Sequence, residues 1–360
     1  MFEYSGVIHI HSIFSDGTGT IEDIAKAANE VGLDFFIMTD HNNTRPLKSG
    51  YARWFKNTMS IIGYELNDIK NENHYLVFGL TELVGSFIEL KNGEFGNELD
   101  AKEYVDLINK KGGIGFIAHP FEKRKGIPGH PAYPWTEWKI SNFDGIEIWN
   151  HMSEWTEGLT DSNKFQRFLH PLKTIVSPNK DAVDMWDNLN LRRKVTAIGS
   201  VDAHAHRHKF LGYEVFIFPY KILFKSIRTH VFVENEIIFG DDKTYEESKK
   251  QILQAIKNGN TYIANSYHGD AKGFRFYADY CGKFYNMGDE FDIEINKCKT
   301  FKLIVYLPKA ANIKLKRNGK LIDELDGMEF SRVESEPGNY RIECWIGDKA
   351  WIFSNNIRIK

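Results

Sequence analysis

VIHIHSIFSDG, residues 7–17, sets two histidines two positions apart in an apolar run, with an acid close behind. In an extended strand the side chains at i and i+2 point the same way, so the stretch predicts that His9 and His11 reach one ion together. Asp16 follows on a Ser-Asp-Gly turn, where a short carboxylate beside glycine is aimed back at the strand end. The segment reads as half of a metal site.

Outward from this stretch a strand-then-helix rhythm repeats to about residue 265. Thr20 is a plausible N-cap for a helix over residues 21–32, IEDIAKAANEVG, which Gly32 ends. Six more apolar, β-branched runs follow: FFIMTDH (35–41), SIIGYEL (60–66), HYLVFGL (74–80), GIGFIAHP (113–120), GIEIWN (145–150) and VTAIGSVDAH (195–204). Helical patterns such as residues 100–113 lie between some of them, and the alternation predicts a parallel α/β architecture of seven strands. Most runs end in His, Asp or Glu. Ligand-type residues at many strand ends meet only where the strands ring a common mouth, so a barrel is expected rather than an open sheet.

After the helix-like residues 245–260 the pattern changes, and from about residue 273 short alternating segments dominate. Asn318-Gly319, between NIKLKR and KLIDEL, is a strong hairpin signal because both residues tolerate positive φ. The expected division is a barrel over 1–265 and a small all-β sandwich over 270–360. No ligand-like cluster marks the second part, which reads as an accessory domain.

The 360 residues suffice for a large core, and 42% hydrophobic with 26% charged residues is ordinary for a soluble globular chain. A net charge of -3 argues against a nucleic-acid or membrane surface, which needs a basic face. The start MFEYSG has no basic region leading into an apolar one, and no long apolar run is present. These features, with Cys281, Cys298 and Cys344 far apart and lacking metal-type spacing, predict reduced thiols and a cytoplasmic address.

Beyond the opening motif, His41 follows Thr-Asp at the end of the second run and Glu65 lies in GYEL. His74 opens the next run, His119 precedes a proline, and Asp202 with His204 repeats the i, i+2 spacing. Each has an ordinary explanation alone, as a turn or a solvated strand end. Their joint occurrence decides for metal: nine nitrogen and oxygen ligands without a cysteine exclude a structural zinc finger and leave Zn²⁺, Mn²⁺ or Fe²⁺ at a catalytic site.

HIHSIFSDG, TDHN, GYE, NH before a strand, AHP and DAH together resemble the motifs of the PHP (polymerase and histidinol phosphatase) domain, over about residues 5–210. That resemblance implies a distorted seven-stranded (β/α) barrel holding two or three divalent ions. It implies that His9, His11, Glu65 and Asp202 hold one ion, and that Glu65 bridges to a second held by His74 and His119. Asp16, His41 and His204 would hold a third, with Asp40 supporting from behind. FIFPYKILFKSIRTHVFV (216–233) and the closing β segment are similar to the carbaryl-hydrolase-related branch of PHP-like metallohydrolases, in which a β-sandwich follows the barrel.

Such a cluster attracts an anionic substrate. Paired ions share a hydroxide whose pKa is brought toward 7 and clamp the oxygens of an in-line displacement. The expected activity is hydrolysis of a small phosphate mono- or diester by attack of that hydroxide, with a phosphorylated small molecule as partner. His151 and His206 are candidate general acids, against readings as supporting or solvent-facing histidines, and Arg124 and Lys123 are candidate phosphate contacts, against a solvated basic loop. Glu147 is a candidate to orient a ligand histidine, against the reading of a barrel-interior carboxylate satisfied by hydrogen bonds; His130 stays unassigned. The alternatives are hydrolysis of a carbamate, ester or amide, a nuclease, and a non-catalytic PHP module.

Overall fold

The computed structural model describes residues 1–90, 93, 95–124, 131–210, 213–294 and 298–360. Its first strand, β1 (Phe2–Ile8), is buried from Glu3 onward. Helix α1 (Ile21–Glu30) starts at Thr20, as expected: the Asp23 amide donates to the Thr20 hydroxyl at 3.1 Å, and the Asp23 carboxylate accepts from the Thr20 amide at 3.2 Å. This reciprocal cap satisfies two otherwise orphaned donors. Ile21, Ile24, Ala25 and Ala28 then form one buried face against the sheet.

Each of the seven apolar runs contains a strand. After β1 come β2 (Phe35–Met38), β3 (Thr58–Ile62), β4 (Tyr64–Leu66) and β5 (Tyr75–Phe78). Helix α2 (Ala101–Lys110) leads into β6 (Ile114–Ile117), followed by β7 (Gly145–Asn150), α3 (His151–Glu157), α4 (Lys180–Asn190) and β8 (Thr196–Ser200). SIIGYEL thus splits at Gly63, where a side chain would meet the Val77 carbonyl at 2.5 Å.

The strands are not all parallel. β1, β2 and β3 run parallel, as do β6, β7 and β8, but β5 is antiparallel to both β4 and β6. Only residues 67–74 separate β4 from β5, too short a connection for the crossover that parallel neighbours require. Strand pairing among the described residues yields two large sheets, two further two-stranded ones and no single closed barrel. Isolated parallel bridges, Ile10 with Ala203 and His41 with Glu65, join the two sheets where the ligand-type residues lie.

Beyond β8, strand β9 (Ile227–Val233) pairs antiparallel with β1, and β10 (Thr261–Asn265), reached through α5 (Tyr245–Asn258), pairs with β9. Among the described residues, 270–360 add β strands without a helix. The longest are β11 (Phe301–Arg317) and β12 (Lys320–Glu334), turned at Asn318 and Gly319 with φ of 52° and 79°, the positive values that the Asn-Gly pair predicts. β13 (Gly338–Ile346) and β14 (Lys349–Ser354) follow, and β14 pairs with β10, so one sheet runs through both parts of the chain. Arg341 pins the parts together: its guanidinium is 1% exposed and donates to Asp187 of α4 at 2.9 and 2.8 Å and to Glu343 at 2.7 Å.

The expectation of reduced thiols is overturned for two of the three cysteines. Cys281 and Cys298 form a disulfide with Cα atoms 5.9 Å apart, while Cys344 is free and buried. Their separation of 17 residues hid the pairing, because the chain reverses direction between them. Disulfides persist in oxidising surroundings, so cysteine usage no longer supports a cytoplasmic address. Among the described residues no helix is long and apolar enough to cross a membrane.

Candidate metal centre

The opening histidines converge by a different route from the one the strand pattern predicts. β1 ends at Ile8, and His9 takes a left-handed backbone with φ of 67°, so pleat alternation does not align the pair. Asp40 holds the segment that follows, accepting from the Ser12 amide at 2.8 Å, the Ser12 hydroxyl at 2.8 Å and the Ser15 hydroxyl at 2.7 Å. His119 and Asp202 also have positive φ, 26° and 53°. Uncommon backbone at non-glycine residues costs about 1–3 kcal/mol each and clusters where function demands a geometry.

The fully buried Glu65 is the hub. Its Oε2 lies 3.0 Å from His9 Nε2 and 3.2 Å from His11 Nε2. Asp202 Oδ1 lies 3.3 and 3.4 Å from the same two nitrogens. Ligands at about 2.05 Å around a tetrahedral ion sit about 3.3 Å from one another, so each of these four distances is that of two neighbouring ligands on one ion. The other oxygen, Oε1, lies 2.8 Å from His74 Nδ1 and 3.3 Å from His119 Nε2. A third group surrounds Asp16, whose carboxylate is 3.1 Å from His204 Nε2, 3.6 Å from His11 Nδ1 and 3.9 Å from His41 Nε2. All nine expected ligand residues therefore come together in overlapping groups.

The donor set fits divalent ions. Both ring nitrogens of His11, Nδ1 of His41 and Nδ1 of His119 are buried and make no hydrogen bond, although His11 Nε2 stands close to two carboxylates. Burial disfavours the imidazolium of His11, yet the carboxylates of Asp202, Glu65 and Asp16 around it lift it to about 10. His119 is lifted to about 9 against the same burial, chiefly by its hydrogen bond to Glu65. The carboxylates thus create a strong local demand for positive charge, which protons or cations satisfy.

Outside the ligand set, Glu147 lies behind His9. Its Oε1 accepts from His9 Nδ1 at 2.9 Å and from the Ser200 hydroxyl; its Oε2 accepts from the His119 amide at 2.7 Å and Asn150 Nδ2 at 3.0 Å. Glu147 thus touches two of the expected ligand histidines, His9 and His119. Arg124 pairs with buried Glu122 at 2.8 Å and lies 4.8 Å over the Tyr133 ring, which in turn stacks on His74 at 4.9 Å. Tyr133 escaped sequence reasoning, since nothing in PAYP distinguishes it from a loop aromatic.

His206 is half-buried and stacks on His204 at 4.7 Å, with burial and the neighbouring His204 pushing it down to about 4. His151 is fully buried at the start of α3, makes no hydrogen bond and is pushed down to about 3 by burial. It therefore has no exposed nitrogen to offer a substrate. Lys123 pairs with Asp181 at 2.8 Å, directed toward α4. His130 lies outside the described residues.

A mixed α/β scaffold thus presents a histidine- and carboxylate-rich centre whose donor atoms suit divalent ions. Residues 8–119 match the model of the PHP domain. No curated protein matches the chain. Among solved structures, the chain is similar to a two-domain protein from Bacteroides vulgatus containing a predicted PHP-like metal-dependent phosphoesterase. Identity there is 16%, coverage is 99% of this chain and 95% of that one, and the TM-score is 0.46. It is also similar to PsfC from Pseudomonas syringae, with 13% identity, coverage of 71% and 97%, and a TM-score of 0.42. A third similarity is to the lesion-specific endonuclease PfuEndoQ from Pyrococcus furiosus, with 15% identity, coverage of 79% and 64%, and a TM-score of 0.41. These likenesses are distant, and the reading of the centre rests on its own residues.

Proposed function

We propose that the chain is a metal-dependent phosphoesterase acting on a small phosphate mono- or diester. The observation that carries this reading is Glu65, whose two oxygens face two separate imidazole pairs, His9 with His11 and His74 with His119. A carboxylate so placed suits two neighbouring divalent ions, and Asp16 with His41 and His204 suits a third. Zn²⁺, Mn²⁺ and Fe²⁺ all accept this donor set. Ions bound there supply Lewis acidity to a phosphoryl oxygen and bring the pKa of water toward 7.

The chain's own groups do the rest. Glu147 keeps Nδ1 of His9 as a donor, so its Nε2 lone pair faces Glu65 and Asp202. Arg124, fixed between Glu122 and Tyr133, is the candidate contact for a substrate phosphate. His206, beside His204 and held neutral at about 4, is the candidate hydrogen-bond donor to the leaving oxygen rather than its acid. In this reading the bridged strands of 1–265 are the distorted barrel around the centre, and the strands of 270–360, which continue one of its sheets, are the accessory domain.

The test is metal analysis of the purified chain followed by assays with p-nitrophenyl phosphate, bis-p-nitrophenyl phosphate and a naphthyl carbamate in Mn²⁺ and Zn²⁺. Turnover of either phosphate ester is expected. Turnover of the carbamate alone would refute phosphoester hydrolysis.

A further inference from the structure

Beside the centre lies a cavity of about 280 Å³, walled in part by His119 and Glu147. It extends from there between β7, α3 and the residues leading into α4, past Phe121, Val176, Pro178 and Ala182. Its charges are already spoken for. Glu122 is paired with Arg124, Glu157 accepts from Asn179 at 3.0 Å, and Lys180 is paired with Asp184. The Arg167 guanidinium donates to the carbonyls of Trp155, Glu154 and Thr174 at 3.1, 2.9 and 3.4 Å.

The buried polar groups are engaged as well. The Ser153 hydroxyl donates to Glu122 at 3.0 Å, and Asn150 bonds Glu147 and the Ser153 amide. Glu154 accepts from Trp149 Nε1 at 2.8 Å and from the amides of Val176 and Ser177. What the cavity offers an occupant is therefore mainly shape and apolar contact, with Phe121 braced by its stack on Trp138 at 5.1 Å. An ionic or polyhydroxylated group would lose hydration there without new partners. A cavity of about 150 Å³ holds a benzene ring, so this one holds a substituted ring or two fused rings.

Resting on the phosphoesterase reading, we infer that this cavity receives the leaving-group side of the substrate, and that this side is an uncharged aromatic alcohol. His119 belongs to both the cluster and the cavity wall, so an ester whose phosphate meets the ligand residues has its organic part beside Phe121 and Ala182.

The test compares 4-methylumbelliferyl phosphate with methyl phosphate, and measures binding of free 4-methylumbelliferone by fluorescence. Ala182→Leu, which projects three more carbons into the cavity, should lower kcat/KM for the aryl ester at least tenfold, leave methyl phosphate within twofold, and weaken binding of the free alcohol. Val176→Phe, at another position of the lining, should do the same, and serves if Ala182→Leu fails to fold. Equal effects on both esters, or none on either, would overturn the cavity assignment. Binding of the free alcohol without hydrolysis of any phosphate ester would uphold the cavity and refute the phosphoesterase. Hydrolysis of methyl phosphate by a protein that does not bind the alcohol would do the reverse.

Discussion

Replacing Glu147 by Gln tests how the centre is held, because it changes one atom's chemistry and almost no volume. As a carboxylate, Glu147 only accepts, and its four donors, from His9, Ser200, His119 and Asn150, divide evenly between its oxygens. A glutamine must turn its NH₂ toward one pair. The His119 amide cannot become an acceptor, so the amide oxygen stays with His119 and Asn150 and the NH₂ faces His9 Nδ1 and Ser200. The serine hydroxyl can rotate, whereas His9 must move its proton to Nε2, the atom 3.0 Å from Glu65 and 3.3 Å from Asp202. A protonated Nε2 cannot donate a lone pair to an ion. Loss of such supporting partners typically weakens metal affinity tenfold to a hundredfold, or about 1.4–2.7 kcal/mol. Competition titration of Zn²⁺ against a fluorescent chelator reads this directly. Ser200→Ala is the control, since it removes a neighbour of Glu147 without touching His9, and should cost less than threefold. A Glu147→Gln protein with normal thermal unfolding and Zn²⁺ affinity within twofold of wild type would refute the reasoning.

Three further outcomes are expected. His9→Ala and His11→Ala should each remove bound metal, measured by elemental analysis, and reduce phosphoesterase activity by at least a hundredfold; full activity in either would sink the centre. Glu3 supplies a pH test away from it: burial works against its anion, yet hydrogen bonds from His230, Tyr262 and Arg275 hold it at about 2, below the ordinary 4.5. A depressed carboxyl stabilises the fold above its unfolded pKa and loses that contribution as pH falls from 4.5 through 2, here about 3 kcal/mol. Denaturant unfolding at pH 7 and pH 3 should therefore show a smaller difference between wild type and Glu3→Gln at the lower pH, and a constant difference would contradict it. Finally, alkylation of the denatured, unreduced protein should label Cys344 alone, and labelling of all three cysteines would exclude the Cys281–Cys298 bridge.

Local signals were legible where the chain's near neighbours decide the outcome. Thr20 caps its helix through Asp23, three residues on, and Asn318-Gly319 turns its hairpin because both residues accept positive φ. The ligand residues were legible for a related reason: a His or acid at the end of an apolar run has few uses, and nine of them in one chain have fewer. Glu147 showed itself only as a carboxylate inside a strand, while Tyr133 gave no signal at all, because its stacking partner His74 is remote in sequence.

By itself, then, the sequence determined which residues sit at strand ends, and hence the chemistry the chain can assemble. Tertiary structure decided how they meet: the antiparallel run of β5, the left-handed turn at His9, the hub position of Glu65, the disulfide, and the apolar cavity beside His119. The physical reason is distance along the chain. Periodicity and capping act over a few residues and leave their mark in composition. Glu65 and His9 are instead brought within 3.0 Å by two sheets closing on each other, a contact governed by the packing of the whole core.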